Sequence, residues 1–181
     1  PDVALNRRQW VTFAVESVYG VDQAPNESNS GQVVRLLEPF TLDLTQENIE
    51  QIGGLGTLGF SRPIATARPA GVIFRTFVQG VGTSYSSALK PPLSGLLRSC
   101  GLLETFVTSN FRGDPEYSYA PAGRVQSLCS LTLVANVDGN DTRLLGCMGN
   151  VNFILDGDSP AIAEFTFRGQ LSTEASTVRG T

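Results

Sequence analysis

The chain is predicted to be mainly β, an antiparallel β-sandwich or barrel with one flanking α-helix and one long extended loop. Three observations predict it. Apolar and polar residues alternate with a period of two along most of the apolar runs. Glycine and proline, 19 and 10 of 181 residues, break those runs at short intervals, which favours many short strands over long helices. Only residues 91–100 repeat apolar side chains at helical spacing. A chain of this length is expected to form a single domain, residues 1–181, with a core large enough to stand without disulfides.

Residues 10–15, WVTFAV, predict a short strand, and the turn formers of residues 16–31 predict a loop after it. Val34, Leu36, Phe40, Leu42 and Leu44 then alternate with Val33, Arg35, Leu37, Thr41 and Asp43, a strand interrupted at Glu38 and Pro39, where proline predicts an edge or a bulge. Residues 46–71 hold five glycines and two prolines and exceed an ordinary connection. Leu55, Leu58 and Phe60 within this extended loop predict docking on a neighbouring subunit or, as the alternative, folding onto their own domain, because a free linker has no use for them. Residues 71–80 place Val72, Phe74 and Val78 on one side and Ile73, Phe77 and Arg75 on the other, which predicts a strand buried between two layers or two subunits.

The helix over residues 91–100 opens on Pro91 and Pro92, whose missing N–H groups cost nothing in a first turn, and stops at Gly101. Leu93, Leu96, Leu97 and Cys100 form one apolar stripe, read as a core helix covering a sheet. In residues 125–137, Val125, Cys129, Leu131, Leu133 and Val137 share one face, with Gln126, Ser130, Thr132 and Asn136 on the other. DGND at residues 138–141 predicts a tight hairpin turn, followed by runs at 142–147 and 149–155. After a turn at 157–160, Ala163, Phe165, Phe167 and Leu171 alternate with Glu164, Thr166, Arg168 and Gln170, and residues 172–181 read as a loose tail.

Composition narrows function mainly by exclusion. The net charge is −4 and histidine is absent, which removes the usual proton shuttle and the commonest metal ligand. Basic residues are scattered, Arg7 and Arg8 being the only adjacent pair, so no nucleic-acid footprint forms. Cys100, Cys129 and Cys147 are an odd number without a C-x-x-C pair and read as small core side chains, expected in a reducing compartment. No run has signal-peptide or membrane-spanning length, and the Asn26 and Asn140 glycosylation triplets therefore carry little weight. DGND and DGDS make turns more readily than calcium loops, and Gly54, Gly56 and Gly59 precede neither a helix nor a Walker lysine. Tyr117 and Tyr119 around Glu116 imitate a carbohydrate-binding loop, yet tyrosines packed on their own domain are the commoner case. No catalytic set, metal or cofactor is expected, and the chain is read as no enzyme.

Several motifs recur in a fixed order. Glu16-Ser17-Val18-Tyr19-Gly20 with Pro25 follows the first strand, and a long loop follows the strand ending near Leu44. Next come Pro91, Pro92, Leu93, Leu96, Leu97, Arg98, Cys100 and Gly101, then Tyr117 to Pro121, Ser130-Leu131-Thr132-Leu133 and Asp138-Gly139. Leu145-Gly146-Cys147-Met148-Gly149-Asn150-Val151 and Phe165-Thr166-Phe167-Arg168-Gly169 complete the series. In this order the chain resembles, over nearly its whole length, the tail tube proteins of long-tailed bacteriophages, whose architecture is shared by type VI secretion tube proteins. The resemblance implies six copies closing into a ring and rings stacking into a hollow conduit for genome delivery. It implies an interface loop carrying Leu55, Gly56, Leu58, Phe60, Arg62 and Arg68. The implied partners are further copies of the chain and the tape measure, terminator and tip proteins, in a virion tail assembled in the host cytoplasm. Genomic DNA would pass through without specific binding, and an acidic balance suits such a bore because it repels phosphate. The bore position of Arg7, Arg8 and Arg179 stays open. A terminator or neck adaptor is the nearest alternative, and a monomeric glycan-binding module using Tyr117, Tyr119 and Asp114 is the alternative from another class. The two classes differ at Leu55, Leu58 and Phe60: covered by a partner in the tube, exposed or self-packed in the monomer.

Overall fold

The computed structural model describes residues 9–26, 28, 32–44, 48–49, 64–65, 68–123 and 128–172. Among them the chain is mainly β, with antiparallel sheets and one short helix. In chain order the elements are β1 (Gln9–Val15), β2 (Val33–Val34), β3 (Thr41–Leu44), β4 (Asn48–Ile49), β5 (Ile64–Ala65), β6 (Pro69–Phe77), α1 (Ser94–Ser99), β7 (Leu102–Val107), β8 (Glu116–Pro121), β9 (Leu131–Val137), β10 (Asn140–Ile154) and β11 (Ile162–Leu171). Seven strands make one sheet in the order β2-β1-β9-β10-β11-β6-β3, while β4 pairs with β5 and β7 with β8 in two-stranded ladders.

The two edges of the large sheet, β2 and β3, belong to one continuous stretch of chain. Between them the Leu37 N–H donates to the Arg75 carbonyl at 2.9 Å, and Thr76 Oγ1 donates to the Arg35 carbonyl at 2.8 Å. The stretch therefore crosses from β1 to β6, and the sheet wraps round until its edges share a segment, which leaves little open edge. Glu38 and Pro39 lie in this crossing, where proline's missing N–H breaks no ladder.

Alternation sets the inner face. Phe74, Phe165 and Phe167 are fully buried neighbours with ring centroids 5.5–6.0 Å apart, packed with Val11, Val72, Leu131, Leu133 and Leu144. Leu93, Leu96 and Leu97 close this core from α1, and half-buried Cys100 packs at the helix's end. The helix is shorter than residues 91–100: Pro91 and Pro92 stand before it in a turn, and Gly101, at φ +82°, ends it so abruptly that β7 begins at Leu102.

Other expectations shift as well. The extended loop over 46–71 contains the paired strands β4 and β5, and its last three residues belong to β6, where Ala70 pairs with both Leu44 and Gly169. Within the single chain β6 is covered on one face only, since Val72 and Phe74 are buried while Ile73 and Arg75 are not. Coverage on both faces is found instead in β9, buried from Leu131 to Asn136, and in β1, buried from Val11 to Ala14. Runs 142–147 and 149–155 are one strand, β10, bent by a bulge between Leu145 and Met148. Asp138 and Gly139 form the hairpin turn at φ +51° and +86°, the pair of left-handed residues that a two-residue turn requires.

Candidate assembly surface

The register gives the barrel two unlike ends. At one end lie Leu44, Pro69, Leu171 and the Asp138–Gly139 turn, and the chain leaves this end between β3 and β6 to form the β4–β5 ladder. Exposed Arg68 stands here, its carbonyl accepting the Leu171 N–H at 2.9 Å. At the far end β10, β11 and β6 run out in step, pairing Ile154 with Ile162 and Ile162 with Phe77, and the Val78 N–H donates to the Ala161 carbonyl. Phe153, Ile154, Leu155 and Val78 are all exposed at this tip, Leu155 at 77%. Exposed apolar residues clustered in this way make the tip the candidate contact surface.

The outer face of β9 is covered by residues 16–26, and Glu16 pins them down. The residue is 8% exposed, and its carboxylate accepts four hydrogen bonds. Oε2 takes the Gly20 N–H at 2.8 Å and the Ser130 hydroxyl at 2.6 Å, and Oε1 takes the Thr132 hydroxyl at 3.1 Å and the Gly146 N–H at 2.8 Å. Gly146 sits in the β10 bulge at φ +64°, so the carboxylate satisfies an amide that the bulge has removed from the ladder. The Tyr19 ring lies over this glycine, and any Cβ there would come within 2.9 Å of it. Asp22 and Arg143 pair further along the same segment.

Glu104 organises the β7–β8 side. Lys90 Nζ lies 2.7 Å from Oε1, while the Ser94 hydroxyl and, at 2.9 Å, the Tyr119 hydroxyl donate to Oε2. Burial alone would raise this carboxyl, but hydrogen bonds from Lys90, Ser94 and Tyr119 outweigh it and hold Glu104 below the usual carboxylate range. Because the folded value is lowered, the contribution is complete above the ordinary value of 4.5 and is lost as pH falls through the folded one. Urea titrations from about pH 6 to about pH 3 should therefore show a steeper loss of stability for the native protein than for Glu104→Gln, which has no charge to lose.

Tyr117 and Tyr119 lie on a strand with their hydroxyls engaged. Tyr117 donates to the Ser86 carbonyl at 2.8 Å and packs between Tyr85 and Phe106, while Asp114 takes the Asn110 N–H through its own carbonyl. A groove of about 430 Å³, lined by Phe13, Val34, Arg35, Thr76, Val81 and Leu93, marks the seam where the sheet closes. Among the described residues no cluster of three or more Cys, Asp or Glu side chains is placed to hold a metal ion, and no helix is long and apolar enough to cross a membrane.

Of the loop residues expected at the interface, Leu55, Gly56, Leu58, Phe60 and Arg62 lie outside the described residues, and so does the tail beyond residue 172. The far-end tip was not singled out from the sequence. Its signal was Phe153-Ile154-Leu155 set directly before the Asp-Gly turn, three apolar residues where alternation stops. No protein-family model matches the chain, and no curated protein matches it.

Proposed function

We propose that the protein is a structural subunit of a bacteriophage tail tube, joining copies of itself into rings that stack head to tail. The observation that carries the reading is the polarity of the barrel: a β4–β5 arm leaves one end, and an exposed apolar tip, Phe153 to Leu155 with Val78, stands at the other. Unlike ends brought together along the barrel's length form a heterologous contact, which stacks copies into an open filament where its rotation does not close, rather than into a two-fold dimer. The net charge of −4 suits a bore that passes nucleic acid without holding it.

Negative-stain microscopy across a concentration series tests this reading. Tubes with a central bore are expected, and Leu155→Asp should cut their length at least tenfold, since a charge facing apolar surface opposes each stacking contact. Closed rings that never stack would instead fit a terminator or neck adaptor. Single subunits at every concentration, with or without the substitution, would overturn self-assembly.

A further inference from the structure

Two of the three cysteines stand where the end of α1 meets the approach to β9. Cys100 ends α1 and Cys129 stands two residues before β9, both half-buried, while Cys147 is fully buried on the inner face against Gly169. Gly101, next to Cys100, approaches Leu128, next to Cys129, so closely that a Cβ on the glycine would lie 3.7 Å from the leucine side chain. Burial, followed by the charge of Cys129, pushes the Cys100 thiol up to about 12, and burial raises Cys129 as well. Burial thus keeps both thiols protonated, with the charge of Arg98 lowering Cys129 and that of Glu104 raising it.

We propose that Cys100 and Cys129 are a disulfide site, closed by exchange with a small-molecule disulfide once the protein meets oxidising surroundings. One thiolate attacks the oxidant's S–S bond, forming a mixed disulfide and releasing one thiol. The second thiolate attacks the protein-bound sulfur and releases the other thiol. Two S–H bonds are lost and one S–S bond is formed, and the two electrons and two protons end on the oxidant's two thiols. The new bond joins the end of α1 to the approach to β9 and closes a covalent loop around the β7–β8 ladder, whose strands pair only with each other among the described residues. This inference does not depend on the tube reading.

The folded protein is incubated with glutathione disulfide at about pH 8.5, then measured by intact mass, tryptic mapping and thermal denaturation. A loss of about 2 Da, a link between peptides 99–112 and 125–143, and a thermal midpoint raised by about 5–10 °C and reversed by dithiothreitol are expected. Cys100→Ser and Cys129→Ser should each retain one glutathione adduct and lose the shift. An unchanged mass, stable adducts on both cysteines of the native chain without the mass loss, a link to Cys147, or a link between chains would each overturn the proposal.

Discussion

Replacing Glu16 by alanine is expected to destabilise the fold by about 3–5 kcal/mol, because several polar groups lose their partner at once and an unsatisfied buried donor costs about 1–3 kcal/mol. The Gly146 N–H suffers most, since the bulge has already taken it out of the β-ladder. Ser130 and Thr132 lose an acceptor behind the same segment. Glu16→Gln should recover about half of the loss: its carbonyl still accepts, but its amide meets donors on the other side. Chemical denaturation of both variants measures the pair. A glutamine variant as unstable as the alanine would show that the negative charge, rather than acceptor geometry, holds the segment. Because residues 16–26 cover β9, hydrogen exchange at Thr132 and Val134 should rise in parallel.

The second large effect is expected at the crossing of β10 and β11. Gly149 pairs with Phe167, and a Cβ on the glycine would lie 2.2 Å from the Thr166 carbonyl and 2.7 Å from the Phe167 ring. Real side-chain carbons do not approach so closely, so Gly149→Ala must push β10 and β11 apart, at about 3 kcal/mol. Phe167→Ala empties a fully buried ring site stacked between Phe74 and Phe165 and should cost about 3–5 kcal/mol. The double variant tests whether ring and glycine act together. Removing the ring removes one of the two clashes, so the combined loss should fall short of the sum by about 1 kcal/mol, as measured by urea midpoints. Full additivity would place the whole cost of the alanine on the backbone carbonyl.

Both effects arise where β10 bends or is crossed, and the bend also decides the proposed function's geometry. The bulge at Gly146 turns β10 so that its last residues outrun β9 and carry Phe153, Ile154 and Leu155 to the far end. A weakened bulge should therefore reach the proposed assembly as well as the fold.

Local chemistry made much of this architecture legible in the sequence. A β-prone run marked β1, period-two alternation marked β9 and β11, the Asp-Gly pair marked the turn into β10, and leucine spacing before a glycine marked the one helix. These signals work because each concerns residues a few positions apart. The helix came out shorter because two prolines and a left-handed glycine consume its ends. What only the tertiary structure decided rests on residues far apart in the chain. The wrap of β2 and β3 around the sheet depends on Leu37 and Arg35 meeting β6. The continuity of β10 depends on a carboxylate 130 positions before Gly146, and the exposed tip depends on three strands ending in step. Alternation names the face a side chain takes, whereas its partner across the sheet is set by packing the whole chain at once, and in this protein that packing separates the arm from the apolar tip.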